Sequence, residues 1–352
     1  MASSDGGLLK SEWESTVCQN GAIMLGTNTV CDGYSFEPTI RVQTHVHLDH
    51  MGGFSKSLRK QHVICLEPTW RLIVNDMNGT MGTRINFQPV DEAEQFDIED
   101  GHVTLFSSNH MLGSAQVLVE MSNGYRVGYS GDFFWPMESP ISVDELVVDA
   151  TNGSEKSIRL YSQKTAEDEL ARIVNEKIIS QPVLIYAHRG TLQRALAVLG
   201  DTCRFPIVAS DRQIEEAKVY SDNGYPIGLL FSEGSEEADS VIEEFGGRYV
   251  RVTGRGDERL NEWPGYCITL STYFNSPNTP VLDTSEESCS VGFSNHADFE
   301  GTVEYVRATG ASRVLTDNTR GRGIALAVAL KSRIDAEVRW ADPDAEQGWV
   351  SA

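Results

Sequence analysis

The spacing of apolar residues changes character twice along the chain. Up to about Ala150 they come in short runs: Ile23-Met24-Leu25, Thr29-Val30-Cys31, Val103-Thr104-Leu105-Phe106 and Arg126-Val127-Gly128-Tyr129-Ser130. Turn-forming Gly, Asp and Asn divide them, which predicts β-strands, with one helical stretch near Pro68 to Asn78. From about Thr151 to Pro280 the pattern lengthens and alternates. Thr165 to Ser180 keeps Ala166, Leu170, Ile173, Val174 and Ile178 on one helical face, and Val183-Leu184-Ile185-Tyr186 then reads as a buried strand. Thr191 to Leu199 predicts a helix, Pro206 to Ala209 a strand, and Asp211 to Ser221 a helix begun by an acidic cap. Helix alternating with strand implies parallel strands joined by crossover helices. From about Thr284 short runs return, with Val303-Glu304-Tyr305-Val306, Arg313-Val314-Leu315-Thr316, an Ala-rich helix after Gly323, and Glu337-Val338-Arg339-Trp340. The 352 residues suffice for two compact units.

Against this pattern, Thr44-His45-Val46-His47-Leu48-Asp49-His50 stands out as three imidazoles and a carboxylate within six residues. In an extended backbone alternate side chains share a side, so His45 and His47 can grip one ion together. Asp49 and His50 follow past the strand end, where a turn directs them toward a second ion. Nitrogen donors with one oxygen suit zinc best, with iron and manganese as alternatives. Met51-Gly52-Gly53 lets the backbone leave abruptly. Upstream, Asp32 is placed to orient a ligand by hydrogen bonding. Two further candidates, His110 and Asp132, each end an apolar run, and neighbouring strand ends converge on one sheet edge.

This order of His45, His47, Asp49, His50, then His110 in His-Met-Leu-Gly-Ser, then Asp132 in Ser-Gly-Asp resembles the metallo-β-lactamase fold. Asp149-Ala-Thr-Asn-Gly153 resembles the acidic motif, and Phe293-Ser294-Asn295-His296-Ala-Asp298 the histidine motif, of its β-CASP branch. That branch comprises nucleases of messenger-RNA 3′-end processing, ribonuclease J and DNA-repair exonucleases. His110 to Gln116 with Ser130-Gly-Asp-Phe133 is especially similar to the short 3′-end-processing or ligase-associated exonucleases. The resemblance runs from about Gly21 to the C-terminus and implies an α/β protein. Residues 1–155 and 284–352 would form an αββα sandwich, and residues 156–283 an inserted β-CASP-like cap.

The resemblance also implies the chemistry. His45, His47 and His110 would hold a first Zn2+, with Asp49, His50 and Asp132 around a second and Asp132 bridging; Mn2+ is the alternative ion. His296 would contact the scissile phosphate or protonate the leaving oxygen, with Asp149 positioning it and Asp49 completing the catalytic set. The expected activity is cleavage of single-stranded RNA or DNA, as an exonuclease of RNA processing or DNA repair. Ser294, Asn295, Arg320 and Arg322 are candidate substrate contacts, and Arg248, Arg251, Arg255 and Arg259 candidates to line the cleft. Two other readings stay open: a catalytically silent subunit of a nucleic-acid-processing or defence complex, and an ester, thioester or lactam hydrolase. RNA-processing members carry a further His near the C-terminus. Here that stretch reads Val314-Leu315-Thr316-Asp317-Asn318, so Asp317 is expected as the replacement ligand, with a weaker second site or a DNA-directed relative as the alternatives.

Composition adds an environment. There are 29 Lys plus Arg against 51 Asp plus Glu, a net charge of −22, and 8 Lys against 21 Arg. That field opposes a polyanion at low ionic strength, whereas in molar salt the Debye length falls to about 3 Å and only contact-range groups act. The balance resembles adaptation to concentrated cytoplasmic salt. No apolar stretch reaches membrane-spanning length and no secretory leader is recognisable, so a cytoplasmic protein is expected, alone, as a homodimer, or in a processing complex. Six cysteines without metal or redox spacing are expected as buried thiols.

Overall fold

A computed structural model describes residues 13–77, 79, 82–254, 263–272, 276–342 and 349–351. They form a mixed α/β protein with three sheets. Its helices are α1 (Phe54–Lys60), α2 (Glu67–Asp76), α3 (Gln163–Lys177), α4 (Thr191–Thr202), α5 (Asp211–Asp222), α6 (Glu236–Glu244), α7 (Phe299–Thr309) and α8 (Gly323–Leu330).

The first sheet runs in chain order through Ser15–Val17, Ile23–Leu25, Thr29–Cys31, Ile40–Val42, His62–Leu66 and Phe87–Val90. The second places Glu337–Ala341, Arg313–Thr316 and Glu145–Val148 in parallel beside Arg126–Tyr129. It continues antiparallel through Ala115–Met121, Gly101–Ser107 and Gln95–Ile98, with Trp349–Ser351 at the other edge. Alternation along each strand sorts side chains into layers. Val42 and Ile64 of the first sheet meet Leu105, Val117, Val147 and Leu315 of the second in one shared core. The neighbours of opposite parity, Val63 and Cys65, pack outward on Phe54, Leu58, Leu72 and Ile73 of α1 and α2. Likewise Leu146, Val148 and Val314 pack on Val303 and Val306 of α7 and Leu326 of α8. Each such buried side chain stabilises the fold by about 1.5–3 kcal/mol relative to exposure.

The third sheet takes its strands from residues 183–292, in the order Leu230–Ser232, Ile207–Ala209, Val250–Thr253, Val183–Tyr186, Tyr266–Ser271, Ser288–Gly292 and Val281–Ser285. All pairs are parallel except the last. The expected crossover helices are present, and α3 and α4 cover the sheet with Leu170, Val174, Leu192 and Leu196. The run Val303–Val306 lies inside α7. Asp298 caps that helix by accepting from Gly301 N at 2.8 Å, and Gly310 ends it at φ 69°. The end of the helix expected at Asn78 lies outside the described residues, as do Arg255 and Arg259. Cys31, Cys65 and Cys289 are buried; Cys18, Cys203 and Cys267 are partly exposed. Among the described residues no helix is long and apolar enough to cross a membrane.

Candidate metal centre

The strand Ile40–Val42 leads directly into the loop carrying His45, His47, Asp49 and His50. Two turns shape the loop, with His50 N donating to His47 O at 3.0 Å and Met51 N to Leu48 O at 3.2 Å. His110 arrives from the loop after Gly101–Ser107, where Ser114 Oγ accepts from the backbone N of both His110 and Met111. Asp132 follows Arg126–Tyr129 through Gly131, whose φ of 57° and approach to Ala115 O leave no room for a Cβ. His296 precedes α7, its backbone N held by Ser294 Oγ at 3.1 Å. Three sheet edges thus bring five of the eight histidines together around one carboxylate.

The distances define two sides of that carboxylate. His45 Nε2 and His110 Nε2 lie 3.6 and 3.7 Å from Asp132 Oδ2, and each of those nitrogens is 3.1 Å from His47 Nδ1. On the other side His50 Nε2 lies 3.4 Å from Asp132 Oδ1 and 3.6 Å from Asp49 Oδ2. His296 Nε2 is 3.8 Å from Asp132 Oδ2.

Outer hydrogen bonds assign the ring protons. His47 Nε2 and His110 Nδ1 face the carbonyls of Arg189 and Asn295, which only accept, so those nitrogens donate. Thr44 Oγ1 donates to Asp32 Oδ2 at 2.5 Å and therefore accepts from His45 Nδ1. His50 Nδ1 donates to Asp32 Oδ2 at 2.8 Å. In the neutral rings, three inward nitrogens then present lone pairs to one another, and a fourth, His50 Nε2, is buried without a hydrogen-bond partner. Lone pairs at 3.1 Å repel unless a cation lies among them. The donor set fits a metal ion, and the outer partners orient it as ligand shells require. His45, His47, His110 and Asp132 form one group able to hold an ion; Asp32, His45 and His50 form another, and Asp132, Asp149 and His296 a third.

Electrostatics separate the two sides. Burial drives the pKa of His45 and His110 well below the ordinary value and that of His47 down to about 4. Burial also opposes charge on His50, but the Asp132 and Asp32 carboxylates outweigh it and hold His50 well above the ordinary value. The Asp132 carboxyl, which burial alone would raise, is held well below the ordinary range by His50, His296 and His45.

Asp149 touches His296, with Oδ2 3.3 Å from Nδ1, while Thr151 N and Oγ1 hold its other oxygen. Asp298 does not pair with His296; it caps α7 and accepts from Arg159 N. Asp317 stands outside the ion-holding groups of the described residues. Its Oδ1 accepts from Thr319 N and Oγ1, and its Oδ2 pairs with Arg320 Nη1 at 3.2 Å. Arg320 reaches the rim beside Asp49, donating to Asp49 O at 3.4 Å. Arg322 is exposed and away from the cavity, and Ser294 is buried against the His296 backbone. Asn295 lines a cavity of about 1350 Å3 that extends from His47, Asp49 and Arg320 to His188, Thr253 and Gln213 at the carboxyl edge of the third sheet. Arg251 lines it too, paired with Glu233 at 2.8 Å. Arg248 instead donates to Phe245 O. Sequence reasoning passed over Arg41 and Gln43, both fully buried under the His45–His50 loop; their signal was polar residues alternating with Ile40 and Val42. It also passed over Arg189, whose carbonyl holds His47 and whose guanidinium joins Asp76 of α2 to Glu216 of α5.

Fold and site together define a mixed α/β protein with buried histidine–aspartate groups able to hold metal ions. No protein-family model matches the chain. Over 104 residues, 29% of this chain and 74% of the other, it is 39% identical to an Acidianus ambivalens protein named "Uncharacterized protein in lig 3'region". The chain belongs to the same family as that protein. Across 328 residues, 87% of the chain, it is 22% identical to a "Probable DNA ligase" of Opitutus terrae, and it spans 30% of that ligase's length. A solved structure of a protein of unknown function from Enterococcus faecalis V583 shares the fold, with a TM-score of 0.58, 10% identity, and coverage of 91% of this chain and 83% of that one.

Proposed function

We propose that the chain is a metal-dependent phosphodiesterase cleaving single-stranded nucleic acid from an end. In this reading residues 1–155 and 284–352 form a metallo-β-lactamase αββα sandwich, and residues 156–283 a β-CASP-like cap. The observation that carries it is the set of three inward, hydrogen-free imidazole nitrogens of His45, His47 and His110 beside Asp132, with His50 on the other side of the same carboxylate, at the cavity. His45, His47 and His110 would hold one ion, and Asp49 and His50 a second, Asp132 offering one oxygen to each side. Zinc suits these donors best, with manganese as the alternative. When bound, the ions activate water and neutralise charge developing at phosphorus.

The chain's own residues do the rest. Asp149 fixes the His296 ring and favours its protonated form, so that Nε2 carries a proton toward the leaving oxygen. Asp317 and the carbonyl of Gly21 hold Arg320 at the rim, where its positive charge would attract an incoming phosphate. The cavity exceeds what a single nucleotide fills and admits the end of a strand. A ligase and a lig-region protein among the relatives favour DNA ends as substrate and a DNA ligase as working partner.

The test incubates zinc- or manganese-loaded protein with single-stranded DNA and RNA labelled at either end. A ladder growing from one end, abolished by chelator and by His110→Ala, is expected. Fully loaded protein that turns over a chromogenic lactam or a thioester but neither oligonucleotide would replace this reading with a small-molecule hydrolase.

A further inference from the structure

Beneath the ligand loop lies a cation that the chemistry above leaves unused. Ile40 and Val42 face the core shared by the first two sheets, so alternation turns Arg41 and Gln43 to the opposite face, under residues 45–52. Arg41 is fully buried and among the largest such side chains. Its Nη1 donates to Gly52 O at 2.9 Å and Ser57 Oγ at 3.1 Å, its Nη2 to Gln43 Oε1 at 2.6 Å and His50 O at 3.0 Å. The guanidinium carbon lies 5.2 Å from the centre of the Phe54 ring. Gln43 Nε2 extends the network to His45 O, His50 O and Asp32 Oδ1.

The partners of Arg41 are carbonyls, an amide and a hydroxyl, and it forms no ion pair among the described residues. Burial lowers its pKa to about 10, so it is charged at neutral pH. Burying an unpaired charge costs several kcal/mol, and an apolar residue like those at 40 and 42 would avoid that cost. What the charge achieves is geometric. A planar fork gathers four acceptors, two of which are the carbonyls of His50 and Gly52 that bracket the end of the ligand turn. Of the other ring donors, His47 is held by Arg189 O and His110 by Asn295 O, while His45 O meets this network only indirectly, through Gln43 Nε2.

We propose that Arg41 is a positioning residue that holds the Asp49–His50 turn in ligand geometry before any ion arrives, and so sets the affinity of the second ion site but not of the first. The inference rests on the reading of these groups as metal ligands, and on no assumption about the bond cleaved.

Titration of the metal-free protein with Co2+, followed by visible absorption and calorimetry, tests it. In Arg41→Met the second equivalent should bind about tenfold to a hundredfold more weakly while the first is unchanged. Arg41→Lys keeps the charge but not the fork and should leave the second site weak; full restoration by lysine would overturn the geometric role. A measurement on the unaltered protein guards against a variant that does not fold. The amides of His50 and Met51 should exchange with solvent as slowly in metal-free protein as those of the strand His62–Leu66, and fast exchange that slows only on metal addition would overturn the proposal. Failure to cleave nucleic acid would remove the proposed activity alone. Unchanged affinity for both equivalents in Arg41→Met would remove this inference alone.

Discussion

Asp149→Asn isolates the contribution of one carboxylate to one imidazole. The substitution keeps shape, and the amide oxygen can still accept from Thr151 N and Oγ1. What disappears is the charge 3.3 Å from His296 Nδ1, both groups being about nine-tenths buried. Coulomb's law at an effective dielectric near 20 gives about 5 kcal/mol for unit charges at that distance. Compensation by solvation leaves about 1.5–3 kcal/mol for a charge-assisted hydrogen bond, which is roughly tenfold to a hundredfold in rate if protonated His296 is the acid. The pH dependence has a definite sign. Burial depresses His296, but Asp149 and Asp132 together raise it above the ordinary value. The acid form is present below that pKa and lost as pH rises through it, so removing Asp149 moves the alkaline limb of the rate profile to lower pH. The assay is single-turnover cleavage of an end-labelled strand across pH, with metal content measured on the same samples. A variant with full metal and an unshifted alkaline limb would refute the acid role of His296.

Three other expectations concern the ions and the surroundings. Because burial keeps His45, His47 and His110 neutral while His50 is held protonated, the first equivalent of metal should release almost no proton near pH 7 and the second about one. Calorimetry in buffers of different ionisation heat measures this, and equal release by both equivalents would sink it. Asp317→Ala should leave the metal complement intact and raise KM through loss of the Arg320 anchor; a matching fall in metal content by elemental analysis would reinstate Asp317 as a ligand. With a net charge of −22, thermal stability and activity should hold or rise between low and molar KCl, and a protein most stable at low ionic strength would discard the salt-adaptation reading.

Local pattern was enough for several elements and for the His45–His50 run on which the candidate site is built. Val183–Tyr186 and Arg313–Thr316 form strands over the residues expected, because short apolar runs bounded by turn formers have few other ways to bury themselves. The His45–His50 spacing pointed to an ion-holding loop because those donors lie within one turn of backbone. Val303–Val306 is ambiguous by itself, since four residues cannot distinguish a helix interior from a strand, and the signals that settle it, Asp298 and Gly310, lie outside the run. Asp317 occupied the anticipated place in the chain, yet its oxygens point to Thr319 and Arg320.

By itself, then, the chain's order determined which donor residues the candidate site draws on and the alternation that turns each to one face or the other. Only tertiary structure decided which donors come within reach of one another, that Asp149 rather than Asp298 meets His296, and that a buried guanidinium lies under the His45–His50 loop. The physical reason is range. Periodicity and donor spacing act over a few residues of backbone, whereas the meeting of Asp149 with His296 depends on how separate sheets pack and where their strands end.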